Sequence, residues 1–395
     1  MSKSWKLVTI GNSGLTIADG NYSSKYPSSS EFIASGIPFI RANNFKNKTI
    51  VDDELYFISA IKHAQITKGH LKPKDVLITT RGNIGELAIV PERHDNSNIN
   101  AQIVLLRCNK DWEPLFLLYV LSSPSVKDQL PKLTTGTALK QLPVKNLKKI
   151  QIPLPPLDVQ QKIASILDAA DTLRQKDKAL LAKYDELTQA LFLDMFGDPV
   201  SNPKGWEKKS FDEMVKFDTK MTKDFDKYGD FLHVGIGNIQ KSTGKIIDCL
   251  TAKEEKLTSG KYLFDNRHII YSKIRPNLNK VALPDFTGLC SADSYPLLPI
   301  QGISNRVFIA YILRSECFLD FILQHSTRTN IPKANRAQMK LFIGFCPPIE
   351  LQTQFAERVA LIEQQKAQAQ ASLEKSEELF NSLLQKAFNG ELIES

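Results

Sequence analysis

The chain has 395 residues, 42% of them hydrophobic, and a net charge of +8 from 51 Lys and Arg against 43 Asp and Glu. Domains run about 100 to 200 residues, so this length implies about two to four of them, and the basic excess favours an acidic partner. The five cysteines (Cys108, Cys249, Cys290, Cys317, Cys346) are scattered and odd in number, with no C-x-x-C pair; this excludes a disulfide framework or a zinc site and fits a reducing compartment. No leading apolar segment follows Met1-Ser2-Lys3 and no run approaches about 18 apolar residues, so the expectation is a soluble, cytoplasmic chain with no membrane partner.

The chain opens near Trp5 on a mixed region whose short strands predict an α+β fold. Residues 76–80 read as a strand, Arg81-Gly82-Asn83-Ile84-Gly85 as a turn, and residues 87–90 as the returning strand. Residues 113–130 read as a helix. Residues 129–157 then hold no Asp or Glu but five lysines, with Thr134-Thr135-Gly136-Thr137 as a flexible tip. After Pro155-Pro156, residues 157–196 form an uninterrupted helix. Its seam is Ile163, Ile166, Ala170, Leu173, Asp177, Leu180, Tyr184, Leu187 and Leu191, spaced alternately three and four residues apart. A linker rich in turn residues runs from Gly197 to Gly205.

The same layout then repeats at an offset of 192. Tyr119, Leu121 and Ser123 recur as Tyr311, Leu313 and Ser315, and Pro155-Pro156-Leu157-Asp158 with Gln160 recurs as Pro347-Pro348-Ile349-Glu350 with Gln352. A second strand-turn-strand, residues 268–272, Arg275-Pro276-Asn277-Leu278-Asn279 and residues 281–283, matches the first at an offset of 194. Residues 305–324 repeat the helix, and residues 321–349 repeat the acid-free stretch with four Lys and Arg. The second long helix, residues 349–388, has the seam Val359, Ile362, Lys366, Ala369, Leu373, Ser376, Phe380, Leu383 and Ala387.

Two matched stripes of this length predict that the long helices pack on each other, antiparallel, with Asp177, Lys366 and Ser376 helping to fix register. The alternative is two independent helices, each packed on its own globular region. Two similar halves imply a pseudo-twofold molecule. The expected domains are 1–157, a first recognition domain; 158–200, a central spacer helix and linker; 201–349, a second recognition domain; and 350–395, a C-terminal spacer helix.

No reactive constellation is visible. The Pro-Pro pairs follow Leu154 and Cys346, so neither forms the Asn/Asp-Pro-Pro-aromatic turn that an adenine methyltransferase uses to hold a flipped base. Gly235-Ile236-Gly237 lacks the third glycine of a cofactor loop, and Ser242-Thr243-Gly244-Lys245-Ile246 lacks both ends of a phosphate loop. Glu254-Glu255-Lys256 after Asp248 fits a nuclease triplet loosely and reads as a solvated loop, and the six histidines show no ligand spacing. No catalytic, metal or cofactor site is therefore expected on this chain.

A pseudo-dyad object with two basic faces suits duplex DNA, itself nearly dyad-symmetric. In the first half Lys140, Lys145, Lys148 and Lys149 are candidate phosphate contacts, with Thr135, Gly136 and Thr137 tracking the backbone. In the second half Lys333, Arg336 and Lys340 take that part, free of opposing acids, with Arg328, Thr329 and Asn330 at the tip. Base-edge candidates are Arg41, Asn43, Asn44, Arg81 and Asn83, then Asn238, Arg275 and Asn277, with Lys273 and Lys280 flanking the second turn.

With those residues placed, the chain resembles a specificity subunit of a type I restriction-modification enzyme. The segments that carry the resemblance enter the first long helix (Ile152-Pro153-Leu154-Pro155-Pro156-Leu157-Asp158-Val159-Gln160-Gln161-Lys162-Ile163) and leave it (Leu191-Phe192-Leu193-Asp194-Met195-Phe196-Gly197-Asp198). Leu384-Gln385-Lys386-Ala387-Phe388-Asn389-Gly390-Glu391-Leu392 completes the pattern. The family's entry motif often carries Glu-Gln where this chain has Val159-Gln160 and Leu351-Gln352. The resemblance implies two target recognition domains, each reading half of a split site on double-stranded DNA, spaced by an antiparallel coiled coil. It also implies two docked methyltransferase subunits that bind S-adenosylmethionine, and translocase-nuclease subunits that use ATP and Mg. Recognition domains diverge widely within the family, so no base-contacting residue carries over. Two other classes compete with this reading: an enzyme with an unrecognised site, and a coiled-coil scaffold whose globular ends bind protein.

Overall fold

The structure is a computed structural model that describes residues 5–20, 24–137, 139–325 and 332–393. The chain divides into two compact units, Met1–Leu180 with Ala369–Ser395, and Leu181–Gln368. The first unit therefore holds the start of the first long helix and the end of the second, and the second unit holds the complementary pieces.

In the first unit a sheet runs in the order Thr16–Asp19, Ile103–Arg107, Val76–Thr79, Leu87–Ile89, Thr49–Ile50, Phe45–Lys46. Its centre is apolar on both faces: all four residues of Val76–Thr79 are buried, and so are the first four of Ile103–Arg107. Such a continuous run marks a strand covered on both sides. The cover on one side is the helix Pro114–Ser122, whose residues from Phe116 to Leu121 are all buried. A helix apolar all round has to sit inside. In the second unit Val215–Phe217, Ser294–Pro299, Ile269–Ser272 and Val281–Ala282 repeat the order of the first four strands. Both strand-turn-strand units are antiparallel ladders, Val76 opposite Ile89 in one and Ile270 opposite Ala282 in the other.

The helices expected over 113–130 and 305–324 are each broken in two. Ser123 (φ −67°, ψ 152°) and Ser315 (φ −66°, ψ 150°) are extended and start a new helix, their hydroxyl oxygens accepting from the Val126 and Phe318 N–H groups at 3.4 and 3.3 Å. A serine leading a helix satisfies donors that the first turn leaves free. The repeated serine is thus a punctuation mark rather than a mid-helix residue.

The long helices are Leu157–Phe196 and Ile349–Phe388, each of 40 residues, as the uninterrupted stripes predict. In the first unit their segments touch: Asp177 accepts from the Ser372 hydroxyl at 3.3 Å, Lys178 pairs with Glu377 at 2.8 Å, and the Arg174 guanidinium lies 4.6 Å from the Phe380 ring. In the second unit Lys366 pairs with Asp185. Within the first unit Arg174 meets Phe380, whereas Asp177, further along, meets Ser372, so the segments that touch there run antiparallel. Asp177 and Lys366 reach across, while Ser376 hydrogen-bonds its own helix at Leu373 O, 3.0 Å away.

The seam needs one correction. In the second helix Val359, Ala369, Leu373, Ser376, Phe380 and Ala387 are all at most 8% exposed. In the first helix Ile163, Ala170 and Asp177 are buried, but Ile166, Leu173, Leu180 and Leu187 are 37–49% exposed. The buried stripe passes instead through Ala164, Leu167 and Asp171. The cause is competition between two neighbours: Ile163, Ala164, Leu167 and Ala170 join the same core as Leu117, Val120 and Leu121 of the short helix. A helix that packs on both a partner helix and a globular body turns its stripe between them, and the far row is left outside.

Candidate nucleic-acid interface

The turn and the acid-free stretch, far apart in sequence, are joined by one hydrogen bond that occurs in both units. In the first, the Leu142 N–H donates to Thr80 O at 2.8 Å; in the second, the Ala334 N–H donates to Lys273 O at 2.8 Å. Bridges alongside pair Arg81 with Gln141 and Ile274 with Lys333. Each strand end thereby carries its turn and the basic loop as one surface.

In the first unit the tip is closed by Thr135 and Gln141, whose backbones exchange hydrogen bonds of 2.8 and 2.9 Å. Gly136 makes that closure possible: its φ is +91°, and a Cβ there would stand 2.4 Å from Leu139 O. Asn83, Thr135, Gly136, Thr137, Lys140, Lys145, Lys148 and Lys149 are exposed, and Arg81 is half-buried. Lys148 also anchors the N-terminal turn through its carbonyl, which accepts from the Gly11 N–H at 2.9 Å, leaving its side chain in solvent.

In the second unit Arg275, Asn277, Lys333 and Arg336 are exposed. A cleft of about 370 Å³ opens beside the turn, lined by Ile236, Gly237, Ser272, Ile274, Arg275 and Lys280 among others. Lys280 donates to Ile236 O at 2.5 Å. The Lys273 ammonium lies 5.0 Å from the Tyr295 ring; burial lowers its pKa, and Asp293 acts against that shift. Arg336 stacks 5.0 Å above Phe217. Lys340 is not free of acids as the sequence suggested, since Asp212 reaches it at 2.9 Å from outside the acid-free stretch. Arg328, Thr329 and Asn330 lie outside the described residues.

The remaining candidates sit in a second repeated turn. Asn44 accepts from the Arg41 N–H at 2.9 Å and donates to Asp53 O at 2.8 Å; Asn238 accepts from the Gly235 N–H at 3.0 Å and donates to Ile247 O and Asp248 O at 3.0 and 2.9 Å. Asn44 is fully buried and Asn238 half-buried, and both amides hold the turn through these bonds. Arg41 lies 3.5 Å over the Tyr56 ring and donates to Glu54 O at 3.2 Å, while Asn43 is exposed. The nuclease-like triplet is also committed to structure: Glu254 caps Thr251, and Glu255 bonds the buried His233 at 2.9 Å. Among the described residues no group of His, Cys, Asp and Glu is arranged to hold a metal, all five cysteines are free thiols, and no helix is long and apolar enough to cross a membrane.

Two functional supports have no forecast in the sequence reading. Gln160 and Gln352 are fully buried latches: each accepts from a backbone N–H (Glu113, 2.9 Å; Asn305, 2.8 Å) and donates to two carbonyls (Asp111 and Pro155; Ile303 and Pro347). They tie the start of each long helix to the body that carries the basic loop. Their signal was their recurrence beside Pro-Pro at an offset of 192. The second support is Lys48, which pairs with buried Asp171 at 2.7 Å and has no counterpart in the repeat pattern.

Residues 16–183 match the family model described as the type I restriction modification DNA specificity domain. The EcoDI type I restriction enzyme specificity subunit of Escherichia coli is 33% identical over 196 residues, 49% of this chain and 43% of that subunit. The match thus spans less than half the length of that relative. The type I restriction-modification system S subunit from M. genitalium superposes with a TM-score of 0.61 at 14% identity, over 98% of this chain and 96% of that one. A second solved chain, from work on complex assembly and conformational transition of the type I R-M system, gives 0.55 at 17% identity over 98% of both. At those identities the structural likenesses speak for the fold. Together these findings bear out the resemblance to type I specificity subunits.

Proposed function

We propose that this chain is the DNA-specificity subunit of a type I restriction-modification complex, a non-catalytic protein that reads a two-part site on double-stranded DNA. The observation that carries the reading is the repeated hydrogen bond from Leu142 to Thr80 and from Ala334 to Lys273. It puts phosphate-binding cations and a base-reading turn on one surface, once per unit, which is the division of labour that sequence-specific binding needs. In this reading residues 1–157 and 201–349 are the recognition domains. Residues 158–200 and 350–395 are the spacer helices, paired as an antiparallel coiled coil in a pseudo-twofold molecule.

Methyltransferase subunits, two per complex and carrying S-adenosylmethionine, supply the chemistry; translocase-nuclease subunits supply ATP- and Mg-dependent cleavage. The exposed row of Ile166, Leu173 and Leu180 supports a protein partner on the first long helix, because a monomer gains nothing from leaving it uncovered. The test is salt-dependent binding to duplex DNA. Changing Lys140, Lys145, Lys148 and Lys149 together to Gln is expected to weaken binding to all sequences and to flatten the log affinity against log salt slope by about 0.9 for each phosphate no longer neutralised. A chain with no salt-dependent affinity for duplex DNA refutes the reading and favours a protein-binding scaffold.

A further inference from the structure

We propose that Arg275 identifies a guanine in the half-site read by the second unit, donating from its guanidinium to O6 and N7 in the major groove. The inference rests on the DNA-reading proposal and goes beyond it by assigning one residue to one base.

Five cations surround the turn, Lys273, Arg275, Lys280, Lys333 and Arg336, and three of them are engaged. Lys280 donates to Ile236 O, Lys273 sits over Tyr295, and Arg336 stacks on Phe217. Among the described residues, Arg275 and Lys333 are exposed with no side-chain hydrogen bond, ion pair or ring contact, and of the two only Arg275 carries a guanidinium fork and stands in the turn itself. It stands at the mouth of the cleft.

Its backbone is fixed. The Arg275 N–H donates to Pro332 O at 2.9 Å, and its carbonyl accepts from the Leu278 N–H at 2.9 Å. Beyond it Asn279 donates from its side chain to Arg314 O at 2.8 Å. Arg275 and Asn279 bracket the turn Pro276–Leu278 in left-handed conformations, φ +50° and +48°. Asparagine tolerates that region; arginine does so only under constraint, and glycine would adopt it freely. In the matching turn of the first unit glycines take the left-handed conformations, Gly82 at φ +72° and Gly85 at +91°, and Arg81, the counterpart of Arg275, is not left-handed. An arginine standing where glycine would relieve strain implies use of the side chain.

The base follows from donor chemistry. Guanidinium has only donors. Guanine is the base that offers two adjacent acceptors in the major groove, whereas adenine and thymine each offer one acceptor there and cytosine a donor. A rigid turn suits this contact because a fork of two hydrogen bonds requires a set approach.

The experiment selects duplexes from a randomised pool with the full-length chain, followed by sequencing, and compares wild type with Arg275→Gly and Arg275→Lys. Glycine removes the reader and relaxes the backbone, so the melting temperature is expected to stay level or rise. Lysine keeps the charge and loses the fork. Both variants are expected to lose preference for guanine at one position of one half-site, on the order of ten- to a hundredfold, with the other half-site intact. The salt slope of Arg275→Lys is expected to match wild type. An enriched motif that survives Arg275→Gly unchanged overturns the assignment, as does loss of a base other than guanine. Uniform weakening with a shallower salt slope and an intact motif makes Arg275 a phosphate contact and overturns it too. A wild-type chain that enriches no sequence overturns the DNA-reading proposal itself, and this one with it.

Discussion

Gln160→Ala tests whether the buried glutamines hold the long helices to the globular bodies that carry the basic loops. Gln160 is 0% exposed and makes hydrogen bonds of 2.9, 2.8 and 2.9 Å to the Glu113 N–H, Asp111 O and Pro155 O. Alanine leaves one donor and two acceptors without their protein partner, the Pro155 carbonyl buried and the Glu113 N–H and Asp111 carbonyl partly so. An orphaned buried group costs about 1–3 kcal/mol, with carbonyls toward the low end, and the vacated volume adds to that. Alanine's better helix propensity returns about 0.5 kcal/mol. The expected loss is about 3–5 kcal/mol, confined to the first unit; Gln352→Ala is expected to do the same in the second.

Hydrogen exchange followed by mass spectrometry on the full chain resolves the two units and reads the opening free energy of each. Gln160→Glu is the sharper companion. Its carboxylate keeps the acceptor for the Glu113 N–H but turns a second oxygen toward the Asp111 and Pro155 carbonyls, so it is held protonated and its folded pKa rises above the unfolded value. Its stability is then best at low pH and is lost as pH climbs through the folded pKa, a trend absent from Gln160→Ala. A first-unit change below about 1 kcal/mol in Gln160→Ala refutes the latch, since the structure leaves those groups no other partner.

Two other outcomes follow from buried charge and from titration. Asp171 is 3% exposed; burial alone would raise its pKa, but Lys48 and Arg174 outweigh it and hold the carboxylate below its usual range, so Asp171→Asn strands two cations and is expected to cost about 3–5 kcal/mol in chemical denaturation. A cost under about 1 kcal/mol shows the pair to be solvated after all. His94 and His233 are held below the ordinary histidine value by burial, with Asp52 and Glu255 acting against it and Arg93 and Lys261 with it; each also has a buried ring nitrogen without a partner. The unfolded chain therefore binds protons first, so this stability is full above about pH 7 and is lost as pH falls through about 6.5 toward the folded values. Calorimetry is expected to show the melting temperature falling from pH 7.5 to 5.5, less steeply in His94→Asn with His233→Asn; equal slopes refute the assignment.

Much of the fold was legible because its strongest signals are local. The two 40-residue helices have the expected bounds since nothing in either run breaks a helix. The strand-turn-strand units were visible from apolar runs flanking Gly, Pro and Asn. What failed was orientation around the helix axis. Alternate three-and-four spacing says that Ile166, Leu173, Leu180 and Leu187 share a row, but not which neighbour wins that row. The core around Leu117 and Val120 drew the stripe the other way. The break at Ser123 was missed for a related reason: a serine in an apolar run reads as a tolerated helix residue until its extended backbone is seen.

For the candidate interface, the sequence supplied residue types and left their partners unknown. Lys340 reads as a free cation only while Asp212, 128 residues away, is out of view. Asn44 and Asn238 read as base-edge donors because asparagine in a turn has two faces, one toward the backbone and one toward a ligand. In both units the backbone face won, through the same bond to the residue three positions earlier. Gln160 was passed over for the opposite reason, since a polar residue near a helix start reads as solvated. Burial and partner geometry separate these cases, and both depend on contacts between segments far apart in sequence. The repeat itself carries the missing information: a polar residue that recurs with its neighbours at one fixed offset, as Gln160 and Gln352 do beside Pro-Pro, answers to a backbone environment present twice. Arg275 keeps that rule in residue type, since Arg81 precedes it by 194, and departs from it in backbone: the left-handed residues of the first turn are Gly82 and Gly85, whereas Arg275 is itself left-handed. The arginine is kept in both copies while the backbone that holds it differs, so the shared fold does not account for the strained setting of Arg275.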